Sequence, residues 1–81
     1  SPDGVQQGLA VNELGAAYRG ARRAPEALAA YEQALSILTR RLGGQSDAVA
    51  ASRNGLANTL MLEGRFDEAQ AAYLAAVTVF E

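Results

Sequence analysis

Apolar and small side chains recur along most of the chain at the spacing of an α-helix. Val11, Leu14, Gly15 and Tyr18 follow the i, i+3, i+4, i+7 pattern that places side chains on one helix face. After a short break a second stripe has the same period, and it comprises Ala27, Ala30, Tyr31, Ala34, Leu35 and Leu38. Apolar and polar residues nowhere alternate as they do in a half-buried strand. The pattern therefore predicts two helices in the first half of the chain and an all-α fold.

Both stripes recur 42 residues later in the chain. At this offset Asn12 aligns with Asn54 and Arg23 with Arg65. The recurring stripes comprise Leu56, Ala57 and Leu60, followed by Ala69, Ala72, Tyr73, Ala76, Val77 and Phe80. A fixed period in this range is typical of helical repeat proteins. We therefore predict two tandem helical hairpins.

Turn-forming residues separate the two copies. Gly43-Gly44 can end the second helix in a left-handed conformation, and Ser46 can cap the third helix. We therefore expect the turn between the hairpins at residues 43–46. The whole chain, 1–81, is predicted to be one domain with a first repeat at about 5–42 and a second at about 46–81.

The first hairpin turn is expected to differ from the second. Arg22 occupies the position at which Gly64 ends the third helix. Residues other than glycine seldom adopt the left-handed conformation that such an ending needs. We therefore expect the first turn to use Gly20 and to have a different shape.

The stripes resemble the tetratricopeptide repeat pattern. The matching positions are Val11-x2-Leu14-Gly15-x2-Tyr18 with Ala27-x3-Tyr31-x2-Ala34, and Leu56-Ala57-x2-Leu60 with Ala69-x3-Tyr73-x2-Ala76. The longer period, and the segment from Leu42 to Ala57, resemble the kinesin light chain type of repeat. The resemblance implies a fragment of a right-handed α-solenoid. In such a fold, small Gly15 and Ala57 let the helices of each hairpin approach, and Tyr31 and Tyr73 fill the space between neighbouring hairpins.

The resemblance also implies a concave groove, lined by the first helix of each hairpin, that binds a peptide or a partner domain. The face opposite the predicted core stripe carries Leu9 and Ala51 besides the six residues that we predict to bind a partner: Asn12, Ala16, Arg19, Asn54, Asn58 and Met61. Because an asparagine side chain both donates and accepts hydrogen bonds, a row of asparagines can hold a peptide backbone. Solvated helix surface remains the alternative interpretation of this face.

Two further functions are compatible with the same pattern. The fourth helix carries Tyr73, Val77 and Phe80 with no following hairpin to cover them, so the chain can self-associate as a homodimer. Because this face is uncovered, we do not expect the 81-residue chain to be stable as a monomer on its own. Alternatively, the repeats form the regulatory sensor region of a larger signalling protein.

The amino-acid composition limits the kinds of catalytic and metal-binding site that the chain can form. The chain contains no histidine and no cysteine, and all its cationic residues are arginine. No histidine or lysine is therefore present to activate a serine, and no thiolate is present to bind a metal. We predict no catalytic residue, no metal site and no cofactor. The net charge of −2 argues against nucleic acid as a partner.

The start of the sequence and its most apolar segment indicate where in the cell the protein is expected. No signal peptide is evident, and the most apolar stretch, residues 71–80, is too short to cross a bilayer. We therefore expect a cytoplasmic protein without membrane contact. The start without methionine favours a piece of a longer protein, and the abundance of alanine and arginine favours a GC-rich bacterial genome.

Overall fold

The computed structural model describes residues 4–77, which form four α-helices and no strand. The helices are α1 (Gly4–Gly20), α2 (Ala24–Leu42), α3 (Asp47–Leu62) and α4 (Phe66–Val77). α1 packs against α2 and α3 against α4, so each consecutive pair forms a hairpin, and α2 packs against α3 to join the hairpins. The predicted all-α fold of two helical hairpins is confirmed. The molecule is thin, with dimensions of 38 × 30 × 14 Å.

The second helix buries the stripe predicted for it. Five of its six residues are buried: Ala27, Ala30, Tyr31, Ala34 and Leu38. The sixth, Leu35, is half-buried and packs against a cluster that Ala34 and Leu38 form with Val49 of α3. The core therefore extends from the first hairpin into the second.

Tyr31 lies at the junction of the two hairpins and is only 2% exposed. A Cβ atom on Gly15 of α1 would lie 3.0 Å from Cδ1 of Tyr31, and one on Gly55 of α3 would lie 2.5 Å from its Cζ. The ring therefore rests against the backbone of both helices. The predicted roles of Gly15 and Tyr31 are confirmed, whereas Gly55 is a contact that the sequence pattern did not reveal.

Leu14 differs from its predicted place in the core, because its side chain is 48% exposed. Its counterpart in the second repeat, Leu56, is half-buried and lines a cavity together with Leu28 of α2. No helix of the described residues precedes α1, so nothing equivalent to α2 covers Leu14.

The predicted stripe of α4 is only partly buried. Ala69 and Ala76 are buried, Tyr73 is half-buried and Val77 is 52% exposed. Phe80 lies outside the described residues. The burial of Ala69 and Ala76 agrees with the packing of α4 against α3 within the second hairpin.

The turn between the hairpins lies at the predicted residues. Gly43 follows the end of α2 with a φ of +84°, and Ser46 caps α3 because its Oγ accepts a hydrogen bond from the backbone N–H of Val49 at 3.2 Å. Arg53, which replaces the apolar Val11 of the first repeat, donates from Nη1 to the carbonyl of Gly44 at 3.3 Å. This arginine therefore ties α3 to the turn.

The prediction for the first hairpin turn was wrong, because both turns have the same shape. Gly20 is the last residue of α1, and Arg22 adopts a φ of +61° where Gly64 has +74°. Matching backbone hydrogen bonds close the turns: Arg22 N–H to Arg19 O and Arg23 N–H to Tyr18 O in the first, and Gly64 N–H to Met61 O and Arg65 N–H to Leu60 O in the second. These bonds hold Arg22 in a conformation that costs an L-residue about 1–2 kcal/mol.

The shared turn geometry predicts opposite effects of two substitutions. We expect Arg22→Gly to raise the free energy of unfolding by about 0.5–1 kcal/mol, because relief of the left-handed strain exceeds the extra flexibility of glycine in the unfolded chain. Gly64→Ala should lower it by about 1 kcal/mol. Urea denaturation measures both. Arg22→Ala is the control, since it removes the charge but keeps Cβ and should not stabilise; stabilisation by alanine equal to that by glycine would contradict the assignment.

The contact between Tyr31 and Gly55 predicts that Gly55→Ala destabilises the chain by about 1–3 kcal/mol, because a methyl group forces the ring or α3 to move. Gly20→Ala is the matched control. Gly20 is also helical, but a Cβ there would meet no atom within 4 Å, so alanine should stabilise by up to about 1 kcal/mol. Thermal unfolding of the two variants tests this, and shifts of the same sign would refute the close contact.

Candidate binding groove

A cavity of about 240 Å³ lies between α1 and α3. It is lined by Asn12, Ala16 and Arg19 of α1, by Ala51, Asn54, Gly55 and Asn58 of α3, and by Tyr31 of α2. Five of the six predicted partner-binding residues therefore meet at one place. The sixth, Met61, is 45% exposed but does not line this cavity.

Helical spacing explains how the two helices present these side chains. Asn12, Ala16 and Arg19 are separated by four and three residues, which places them along one face of α1. Ala51, Asn54 and Asn58 are similarly placed along α3. Because Tyr31 is buried beneath both helices, its ring contributes to the wall of the cavity as well as to the core.

Asn12 is held in place by a residue of the other hairpin. The hydroxyl of Ser52 donates a hydrogen bond to Oδ1 of Asn12 at 2.9 Å. Ser52 is fully buried, so this bond satisfies a hydroxyl whose isolation would cost about 1–3 kcal/mol. Sequence reasoning missed Ser52, although its spacing from Val49 and Leu56 places it on the core face of α3.

Asn58 is oriented in the same manner by α4. The hydroxyl of Tyr73 donates a short hydrogen bond to Oδ1 of Asn58, which is half-buried. Tyr73 was predicted to serve self-association, yet this contact turns its hydroxyl toward the groove side of α3. The position equivalent to Asn58 in the first repeat is Ala16, so only the second hairpin has this bond.

The two bonds change the expected chemistry of the asparagines. With their carbonyl oxygens engaged, Asn12 and Asn58 offer the hydrogens of their amide nitrogens to a ligand. Asn54 is exposed and can both donate and accept. The row of asparagines is therefore biased toward donation, rather than balanced as the sequence suggested.

The charge of Arg19 and the burial of Tyr31 strengthen the bias of the groove toward hydrogen-bond donation. Arg19 is the one charged residue among those that line the cavity, and a guanidinium only donates hydrogen bonds. Burial raises the pKa of the Tyr31 hydroxyl, while Arg19 acts in the opposite direction and Glu13 adds to the rise. The hydroxyl therefore stays protonated at neutral pH.

Other candidate chemistry finds no support in the described residues. Glu63 and Glu68, at the second hairpin turn, pair with Arg65 at 3.3 and 2.6 Å, and the hydrogen bond from Arg65 lowers the pKa of Glu68. Residues 4–77 contain no group of three or more histidine, cysteine or acidic side chains placed to hold a metal ion. None of the helices in this part of the chain has the length and apolar character needed to cross a membrane.

Comparison with known families gives one match. A family model described as "Tetratricopeptide repeat" matches residues 7–81, which include most of both hairpins. No curated protein matches the chain. No solved structure matches it either.

The bond between Ser52 and Asn12 predicts coupled effects on stability. We expect Ser52→Ala to cost about 0.5–1.5 kcal/mol, and Asn12→Ala to cost more because it leaves the buried hydroxyl without a partner. The double variant should cost less than the sum of the two, and urea denaturation of all four proteins measures the difference. Strictly additive losses would contradict a direct bond between the two side chains.

Proposed function

Because the chain belongs to the tetratricopeptide repeat family, we propose that it binds an extended peptide segment of a partner protein in the groove between α1 and α3. Members of this family are generally non-enzymatic modules for protein–protein interaction. The observation that carries the proposal is the convergence of Asn12, Arg19, Asn54 and Asn58 on one cavity. We accordingly propose that the chain has no catalytic activity of its own.

The hydrogen-bonding character of the groove supports a peptide ligand. An extended peptide presents a carbonyl oxygen at every residue, and these acceptors match the amide hydrogens of Asn12 and Asn58. The exposed Asn54 can pair with a peptide N–H or carbonyl. Arg19 adds the preference for a carbonyl or carboxylate at one position of the ligand. Met61, outside the cavity, is available to contact an apolar residue of a longer segment.

The proposal also covers the location of the protein, the type of its repeats and the classes of partner that it does not bind. We propose that the chain comes from a cytoplasmic bacterial protein and that its repeats are of the kinesin light chain type. We also propose that its partner is neither nucleic acid nor a membrane. The net charge of −2 supports the exclusion of polyanions. As the regulatory sensor region of a larger signalling protein, the chain would use the same groove.

Self-association is the second candidate function, mediated by Tyr73, Val77 and Phe80. The exposure of Leu74 (59%) and Val77 (52%) on α4 favours it. The hydrogen bond from Tyr73 to Asn58 disfavours it, because it directs the tyrosine hydroxyl to another part of the surface.

The groove proposal is tested with peptides that are first selected from a random-sequence display library for binding to the full chain. The affinity of these peptides is then measured for the full chain and for its variants. We expect Asn54→Ala and Arg19→Ala each to weaken binding by about 3- to 10-fold, the loss of roughly one hydrogen bond. Asn54 is the cleaner test because its side chain is exposed. Gln33→Ala, at an exposed position of α2, is the matched control and should leave the affinity unchanged. Peptide-induced amide shifts confined to α2 and α4 would sink the proposal.

A further inference from the structure

A cavity of about 360 Å³ lies between the start of α1 and the end of α2. It is lined by Gly4 and Gln7 of α1 and by Ile37, Arg40 and Arg41 of α2. None of these residues lines the groove between α1 and α3, so the two cavities are separate. Both charged residues of the lining are cationic, although the chain as a whole has a net charge of −2. The cavity is therefore locally basic.

Arg41 extends from α2 to the first turn of α1. A Cβ atom on Gly4 would lie 3.0 Å from Cγ and 3.1 Å from Cδ of Arg41, so the stem of the arginine lies against the bare backbone of this buried glycine. The positive end of a helix dipole repels a cation, and the first turn of α1 contains no acidic residue. Attraction to α1 therefore does not explain why the guanidinium lies there.

No carboxylate of the described residues neutralises Arg40 or Arg41. In residues 4–77, the ion pairs are those of Arg23 and Arg65, at the two hairpin turns. Arg40 donates from Nε to the carbonyl of Ser36 at the long distance of 3.4 Å, which engages one of the five N–H groups of its guanidinium. Within the same residues Arg41 makes no hydrogen bond. Most N–H groups of the two guanidiniums are therefore available to an anion.

We propose that this cavity binds a phosphate group, carried either by free inorganic phosphate or by a phosphorylated side chain of a partner protein. Arg40 and Arg41 are consecutive on α2, where successive side chains point about 100° apart, so their guanidiniums approach the cavity from two sides. A phosphate presents oxygens in several directions and accepts charge-assisted hydrogen bonds from both guanidiniums. A carboxylate accepts hydrogen bonds within one plane and suits this arrangement less well. The side-chain amide of Gln7 adds a neutral donor.

The size and the walls of the cavity suit a phosphate group. Its volume of 360 Å³ is about twelve times the share of one molecule in liquid water, so a phosphate fits together with part of its hydration shell. The buried Ile37 forms an apolar part of the wall, which can contact the carbon atom of a phosphate ester. Binding at this site does not depend on what the groove between α1 and α3 binds.

NMR titration of the isotope-labelled full chain with sodium phosphate, compared with sodium chloride at equal ionic strength, tests the proposal. We expect the Nε–H signals of Arg40 and Arg41 to shift saturably with phosphate, with a Kd of about 1–10 mM. Arg41→Gln should weaken binding at least about 10-fold, because it removes charge-assisted hydrogen bonds. Arg22→Gln is the matched control, since it removes the same charge from an exposed residue at the first hairpin turn and should leave the Kd unchanged.

Gly4→Ala tests the position of Arg41 without altering any charge. The added methyl group would occupy the space of the Arg41 stem, so we expect it to displace the guanidinium and to weaken phosphate binding by about 3- to 10-fold. Because alanine favours helix more than glycine does, unfolding of α1 is not the expected cause of a loss. Gly20→Ala, at the other end of α1, is the matched control and should bind phosphate as the unmodified chain does, since a Cβ there would meet no atom within 4 Å.

A phosphate ester distinguishes the two sources of the phosphate group. If N-acetyl-phosphoserine amide binds at least as tightly as inorganic phosphate, the site is assigned to a phosphorylated side chain of a partner protein. If the ester binds more weakly than inorganic phosphate, the site is assigned to the free ion. In both cases N-acetyl-serine amide, which lacks the phosphate, should cause no shift.

Equal shifts with chloride and phosphate would overturn the proposal, and so would phosphate binding that neither Arg41→Gln nor Gly4→Ala weakens. Asp3, which lies outside the described residues, is the acidic residue nearest to Gly4 in the sequence. Binding of phosphate by Asp3→Asn but not by the unmodified chain would show that a carboxylate of the chain itself occupies the site. That result would also overturn the proposal.

Discussion

The ring of Tyr31 is the contact on which the relative position of the two hairpins depends. It lies against Gly15 of α1 and Gly55 of α3, so one side chain joins three of the four helices. Burial of a large side chain of this kind contributes about 1.5–3 kcal/mol, a substantial share of the stability of a small domain. The same ring lines the cavity between α1 and α3. A change at Tyr31 therefore alters the groove and the fold together, and groove chemistry is better tested at exposed Asn54.

The two repeats keep one backbone geometry while their surfaces have diverged. Arg22 and Gly64 occupy equivalent turn positions with similar φ values, although only glycine adopts that conformation without strain. Ala16 and Asn58 are equivalent as well, yet only the asparagine can accept a hydrogen bond from a tyrosine. Packing between the helices thus determines the backbone conformation of the turn. Individual substitutions determine which hydrogen-bonding groups the groove presents.

Helical periodicity was sufficient to predict most of the fold. The stripe from Ala27 to Leu38, the turn beginning at Gly43 and the cap at Ser46 follow from local spacing and capping preferences, which do not depend on distant residues. The exposure of Leu14 could not be predicted in this way, because periodicity identifies an apolar face but not whether a neighbour covers it. The left-handed Arg22 was missed because tertiary packing overrode a local preference.

The candidate site was predictable in position but not in chemistry. Five of the six predicted residues line one cavity because the repeat period aligns corresponding faces of α1 and α3. The donor character of Asn12 and Asn58 depends on Ser52 and Tyr73, which are brought to them only by the folded arrangement.

The least dimension of the molecule, 14 Å, has a consequence for the kinetics of any complex it forms. If the proposed peptide lies in the groove between α1 and α3, a body this thin would leave one side of the peptide in water. Such a segment can leave without any lid or domain having to open. Its residence time would then depend on how many contacts it makes along the surface, and lengthening the contact would slow dissociation far more than it would speed association.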